Sequence, residues 1–273
     1  MPATPPRRRW PWRGRQLSDG TRLYWWREFL GVYLFYNVYS WSRGRATGSA
    51  TRAWENAQTI IDWERALGIY HELSIQRLVM SIRPLIIGLN YFYGVFHFVV
   101  TIGVIVYLYR KCSDDYPFWR NVFAFLCALA LVGYLLFPLM PPRLLDSYAL
   151  NWDLQFRFKD ALELFPNAWS FTTGPVKHVG NPYAAMPSLH FGWSLYCALA
   201  LYPHVRSRLM KRLTIAYPCL MLLAIVATGN HFILDAVGGA LAVGLAYGLA
   251  RAVTRAGNVP GRTQKAALRP VVA

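Results

Sequence analysis

The feature that most constrains this chain is the way its apolar residues are distributed: in blocks of about twenty, with basic residues concentrated beside them. A bilayer core of about 30 Å is crossed by roughly 20 apolar residues in a helix, and inside lipid a single chain satisfies its own main-chain donors and acceptors most simply as helices. Six blocks qualify, at about 25–41, 85–109, 119–138, from Pro187 or Ser188 to near Tyr202, 213–229 and 232–250. The fifth contains Pro218, which a membrane helix tolerates. The sixth carries Gly244 and Gly248 at a four-residue spacing that suits close helix packing. The expected fold class is therefore all-α: a polytopic membrane protein built as a six-transmembrane-helix bundle.

Composition supports this. Hydrophobic residues make up 55% of the chain and charged residues only 15%, against about 25% charged in an ordinary soluble domain. A net charge of +16 would otherwise raise the question of nucleic acid. More than half of the 29 Lys and Arg residues, however, fall in 1–27, 206–212 and 251–273, beside apolar blocks. That pattern is a positive-inside bias rather than a nucleic-acid face. With six spans, the N-terminal arm, Arg110, Lys111 and Arg120, the loop at 206–212 and the C-terminal tail share one side, the cytoplasm. Segments 42–84, 140–186 and 228–232 then face outward.

The expected organisation is a basic, disordered cytoplasmic tail at 1–24, a membrane domain at 25–252 and a basic cytoplasmic tail at 253–273. The protein is expected in the plasma membrane. Arg7, Arg8 and Arg9 are not followed by a short apolar region with a cleavage site, so the N-terminus reads as a tail rather than a cleaved signal. Segment 54–83 interleaves Leu67, Ile69, Tyr70, Leu73, Ile75, Leu78 and Val79 with Glu64, Arg65, Glu72 and Arg77, the pattern of an amphipathic helix at the membrane face. Cys112, Cys127, Cys197 and Cys219 stand singly and form no zinc or redox motif.

Two clusters place imidazole, carboxyl and hydroxyl groups where a membrane makes them costly. The first is Gly180-Asn181-Pro182-Tyr183-Ala184-Ala185-Met186-Pro187-Ser188-Leu189-His190, at the start of the fourth block. A helix beginning there turns unpaired amides and its positive dipole end toward the membrane surface, an anion site. The second is Thr228-Gly229-Asn230-His231-Phe232-Ile233-Leu234-Asp235. Its His231 and Asp235 lie four apart and share a helix face, so the carboxylate can fix one imidazole nitrogen and leave the other to attack. With six spans both clusters emerge on the outer side. Two other readings use the same residues. His190, His231 and Asp235 form a two-His-one-carboxylate set able to bind a metal for hydrolysis or oxidation. In a membrane scaffold or transporter, the same polar groups would line a pathway.

These two motifs resemble the second and third signatures of the type 2 phosphatidic acid phosphatase superfamily. Stretches 181–192 and 229–239 are most similar to its inositolphosphotransferase branch, the inositol phosphorylceramide synthase-like proteins. The resemblance spans roughly residues 60–250. It implies a six-helix membrane core, an outward-facing site, no metal or other cofactor, and a phosphohistidine intermediate. By position, His231 would be the nucleophile, Asp235 its orienting partner and His190 the acid at the leaving oxygen. Ser188 and neighbouring amides would hold phosphate. The implied partners are membrane lipids, as lipid phosphate or phospholipid substrates, with water, inositol or a sugar as acceptor. The family's first motif, a Lys followed by Arg-Pro, is missing in that form. Met140-Pro141-Pro142-Arg143-Leu144 is the nearest candidate. The Arg usual six residues before the third motif's His is Ile225 here. Arg143 and Lys177 are the expected replacements as phosphate ligands.

Overall fold

The apolar blocks become helices, and described residues of the two long polar segments bond to the turn at 228–235. The computed structural model describes residues 14–45, 49–149, 157–166 and 181–257. A two-stranded hairpin, β1 (Arg15–Gln16) and β2 (Arg22–Leu23), precedes α1 (Trp25–Arg45). It is latched to the bundle: Arg15 Nη1 donates to the carbonyls of Tyr109 and Arg110 at 3.0 and 2.6 Å, and Ser18 N to Asp114 Oδ1 at 2.8 Å. The part of the expected disordered tail from residue 14 onward is thus ordered.

The amphipathic segment is two helices rather than one, α2 (Ala50–Ala66) and α3 (Glu72–Met80). The break is a left-handed Gly68 at φ +70°. Gly68 N donates to Arg65 O at 3.0 Å and Ile69 N to Glu64 O at 2.9 Å, the paired bonds of a Schellman stop. A longer rod follows, α4 (Arg83–Tyr91) and α5 (His97–Lys111), joined by a π-helical turn at Phe92–Phe96. Then come α6 (Tyr116–Leu136), α7 (Pro142–Ala149), α8 (Ala161–Leu164), α9 (Leu189–Leu201), α10 (Arg208–Ala227) and α11 (Ile233–Gly257).

Four helices are long and apolar enough to cross a membrane by length and composition: Arg83–Lys111, Tyr116–Leu136, Arg208–Ala227 and Ile233–Arg255. They make the chain a multi-pass membrane protein. Of the other two expected spans, α9 has only 13 residues, about 20 Å of helix. The other, α1, carries Arg27, Glu28, Arg43 and Arg45 within its 21 residues.

Helix α9 sits at the centre, against α5, α6, α10 and α11. Around it Leu108, Val122, Leu126, Tyr196, Val243 and Ala246 form one buried cluster. Ala242, Ala246 and Ala250 repeat every four residues along the buried face of α11. This alanine stripe, not the glycines, makes the close approach: a Cβ at Gly244 or Gly248 would meet nothing within 4 Å. The tight glycine is Gly239, where an added Cβ would lie 2.6 Å from the carbonyl oxygen of Ser188.

Candidate active site

The two polar motifs meet at one end of the bundle because the starts of α9 and α11 are bonded together. Ser188 caps α9, its Oγ accepting from Phe191 N at 3.4 Å, and Pro187 stands just before the cap. Ser188 N donates to the main-chain carbonyl of Asp235 at 2.9 Å. Tyr134 of α6 adds a bond from its hydroxyl to the carbonyl of Pro187 at 3.2 Å.

At the head of α11, Gly229 adopts φ +70°. Main-chain bonds from Asn230 N and His231 N to Ile225 O, at 3.0 and 3.1 Å, close the turn out of α10. A side chain at Gly229 would collide with Gln76 Nε2 at 2.7 Å, so its missing Cβ also lets α3 approach. His231 Nδ1 lies 3.1 Å from Asp235 Oδ2, and both residues are buried. Because a carboxylate only accepts, Nδ1 donates this bond, and in the neutral imidazole Nε2 is then the ring's acceptor. The same Oδ2 accepts from Phe232 N at 3.0 Å, which fixes the carboxylate as well as the ring.

The ring of His190 lies 5.6 Å from that of His231, centroid to centroid. Two side chains from the π-helical turn and its exit hold it. Tyr93 stacks on His190 at 4.1 Å and 24°, and His97 lies 4.3 Å away. His97 Nδ1 donates to the carbonyl of Tyr93 at 2.6 Å, setting its own ring. Asn90, one turn earlier, donates to Ala161 O at 2.9 Å. From sequence, Tyr93 and His97 read only as polar members of an apolar span. The π turn, a recurrent device at functional sites, is what brings them to His190.

Arg143 reaches the second motif from α7. Its main-chain N donates to Gly229 O at 2.8 Å and its Nε to Asn230 Oδ1 at 3.0 Å. Its Nη1 pairs with Asp160 Oδ2 at 2.5 Å. Asn230 is held in turn by its own bond to Thr228 Oγ1 at 2.8 Å. The guanidinium is thus oriented at the Gly229–Asn230 turn by Asn230 of the second motif and by Asp160, which sequence alone did not single out.

Of the residues expected at the site, His190, His231, Asp235, Ser188 and Arg143 are brought together. Lys177 and Gly180 lie outside the described residues. Ser188 is fully buried, its hydroxyl engaged as a helix cap. Among the described residues no three His, Cys, Asp or Glu side chains are grouped to hold a metal ion. The set His190, His231 and Asp235 does not form such a group; instead His231 Nδ1 faces the carboxylate.

Behind the dyad are two further carboxyls, Glu64 at the end of α2 and Glu72 at the start of α3, both fully buried. Glu72 Oε1 accepts from Ile233 N at 3.0 Å and Glu64 Oε1 from Leu234 N at 2.7 Å. In the sequence they look like the polar face of an amphipathic helix. No local pattern distinguishes them from a solvated stripe, because their partners lie about 160 to 170 residues away.

No curated protein and no solved structure matches the chain. A family model described as the PAP2 superfamily does match, over residues 58–249. That stretch contains the whole arrangement, from the two buried glutamates to the close glycine on α11, and the chain belongs to the PAP2 superfamily.

Proposed function

We propose that the protein is a membrane phosphoryl transferase that works on lipid phosphates or phosphoinositol-type headgroups through a phosphohistidine on His231. Membership of the PAP2 superfamily suggests phosphatase or phosphotransferase activity, and lipid phosphates as substrates. The observation that carries the finer reading is the relation of three side chains. Asp235 Oδ2 accepts a hydrogen bond from His231 Nδ1 at 3.1 Å, and His190 stands 5.6 Å from that ring. One phosphorus centre is within reach of both imidazoles.

The first half-reaction forms a bond from His231 Nε2 to phosphorus and breaks the bond to the leaving oxygen. The departing electron pair is met by a proton from His190. Asp235 keeps the tautomer and stabilises the cationic ring that develops. Ser188 with the first-turn amides of α9, Arg143 and Lys177 hold the phosphoryl oxygens as charge builds on them. In the second half-reaction His190, now a base, takes a proton from the acceptor as the acceptor oxygen displaces His231. Water gives a phosphatase; an inositol or sugar hydroxyl gives a transferase. The similarity of stretches 181–192 and 229–239 to the inositolphosphotransferase branch favours transfer.

The proposed topology has six spans, with α1 and α9 joining the four long helices, both termini cytoplasmic and the site open to the outer leaflet of the plasma membrane. The membrane domain covers 25–252 between basic tails at 1–24 and 253–273. The basic loops support this arrangement. So does the bond from Ser188 to Asp235, since it requires both motifs to emerge at one face.

The test is phosphate release and headgroup transfer by purified protein in detergent with EDTA. Phosphatidic acid, lysophosphatidic acid and phosphatidylinositol serve as donors, with and without free inositol, for wild type and His231→Ala. Activity that survives EDTA, together with an acid-labile phosphoenzyme absent from the variant, is the expected result. Full activity in His231→Ala, or activity abolished by EDTA, overturns the reading.

A further inference from the structure

Glu64 and Glu72 take no part in the chemistry above, yet they hold the element that carries it. The first amides of a helix have no partner within it. At the head of α11, three successive amides are each met by a carboxyl oxygen: Phe232 N by Asp235 Oδ2, Ile233 N by Glu72 Oε1 and Leu234 N by Glu64 Oε1. Asp235 is local, but the other two carboxyls come from α2 and α3. The Schellman stop at Gly68 is what turns the chain so that both glutamates face the same helix end.

The second oxygens of these groups are the unusual feature. Glu64 Oε2, Glu72 Oε2 and Asp235 Oδ1 are buried with no hydrogen-bond partner among the described residues. Neither glutamate makes an ion pair there either; Arg65, next to Glu64, reaches Asp62 and lies over Tyr70 instead. Three ionised carboxylates buried side by side, offset only by a helix end and one imidazole, would cost far more than a helix start returns. The two carboxyls accept from consecutive amides, Ile233 N and Leu234 N, which holds them next to each other at the helix head. Such a contact is attractive when one of the two carries a proton.

We propose that Glu64 and Glu72 share one proton and act as positioning residues, locking the first turn of α11 and with it His231 and Asp235 in the register that phosphoryl transfer uses. This inference rests on the function proposed above. The groups facing the pair are Asp235 on α11, with His231 just before it, and Tyr70 on the turn between α2 and α3, with Asp146 of α7 beyond Tyr70. Burial first, and then the Glu72 carboxyl, hold the Glu64 acid well above the ordinary glutamate range. A carboxyl raised in this way adds stability that is complete at acid pH and is lost as pH climbs through the raised value. Losing the proton adds a second negative charge next to Asp235 and turns the shared bond into repulsion.

The experiment uses the full chain in detergent as wild type, Glu64→Gln, Glu64→Ala and His231→Ala. Tm and the kcat and KM for phosphatidic acid in mixed micelles are followed from about pH 6 to about pH 10. The glutamine amide supplies a permanent donor to Glu72 while its oxygen still accepts from Leu234. The expected result is that both Tm and kcat of wild type fall on the alkaline side. The fall is much smaller in Glu64→Gln, whose neutral-pH kcat stays within about 5-fold of wild type, while Glu64→Ala loses about 100-fold in kcat with little change in KM. An alkaline fall in Glu64→Gln equal to that of wild type overturns the shared proton. Wild-type kcat in a folded Glu64→Ala overturns the positioning role, and if that variant does not fold, the Glu64→Gln comparison decides alone. Full turnover by His231→Ala, or none by wild type, defeats the proposed function instead and leaves the Tm comparison to decide the proton.

Discussion

The amide of Ser188 donates to the main-chain carbonyl of Asp235 at 2.9 Å, so the cap of one candidate catalytic helix rests on the first turn of the other. The approach is possible because Gly239 has no side chain: its Cβ position lies 2.6 Å from Ser188 O and 3.4 Å from Gly192 N. Both of those atoms are backbone and cannot swing aside. Gly239→Ala is therefore expected to cost about 1–3 kcal/mol of stability and to reduce kcat sharply. Gly244→Ala, with open space around it, should leave both nearly unchanged. Thermal unfolding in detergent and lipid-phosphate turnover on the two variants check this; equal behaviour of the pair would contradict it.

Asp235→Asn preserves size but offers an amide where His231 Nδ1–H needs an acceptor. If the side chain turns its NH₂ toward the ring, the tautomer reverses and the attacking nitrogen becomes protonated. The expected loss in kcat is about 1,000-fold or more, with a smaller effect on KM. Single-turnover phosphoenzyme formation is the direct measurement, and a rate within an order of magnitude of wild type would argue against the orienting role.

Tyr93 supports His190 through its ring, at 4.1 Å and nearly parallel. Tyr93→Phe keeps the stack, whereas Tyr93→Ala removes it and leaves His190 free to change rotamer. An aromatic stack of this kind is worth about 0.5–1.5 kcal/mol, so the alanine variant should lose roughly 2- to 10-fold in kcat and the phenylalanine variant less. Steady-state kinetics on both distinguishes support by the ring from a role for the hydroxyl, which would make the two variants alike.

Arg143 uses separate nitrogens for Asn230 and Asp160. A lysine has the charge but not the fork. Arg143→Ala is expected to lower kcat by about 100-fold, and Arg143→Lys to recover little of it. Asp160→Asn tests the same relation from the other side, since it keeps an acceptor oxygen while removing the opposing charge. It should retain far more activity than Arg143→Ala. Assays at matched protein and detergent concentrations settle the order of the three.

How much of this could be read in the sequence follows from how far apart the cooperating residues lie. His231 and Asp235 lie four apart, and Pro187, Ser188 and His190 fall within four residues, so local spacing proposes their pairing. Helix α11 begins only at Ile233, however, and His231 stands in the turn before it rather than on a shared helix face. The apolar blocks likewise mark the long helices, because the bilayer imposes a length. The break at Gly68 was in principle legible, since a glycine after Arg65 and Leu67 and before Ile69 is the common chemistry of a helix stop. The amphipathic period continues through it and hid it. Glu64 and Glu72 could not be assigned, because an acidic residue on such a helix looks the same whether it meets water or the end of a distant helix. Gly244 and Gly248 fit a packing motif, yet the buried stripe is Ala242, Ala246 and Ala250. Spacing identifies which residues share a face, but not which face turns inward.

The π-helical turn at Phe92–Phe96 has a consequence for the whole of its span. Each such turn holds about one residue more than an α-helical turn covering the same arc, because its bonds close at i→i+5. The residues before and after it therefore run on different angular phases, and a single apolar stripe projected from Arg83 to Lys111 drifts out of alignment partway along. Each half presents its own side to its neighbours: Ile86 and Leu89 toward one buried cluster, Val104 and Leu108 toward another. The surplus residue works as a vernier between two otherwise independent packings, and the rings of Tyr93 and His97 stand where the two scales meet.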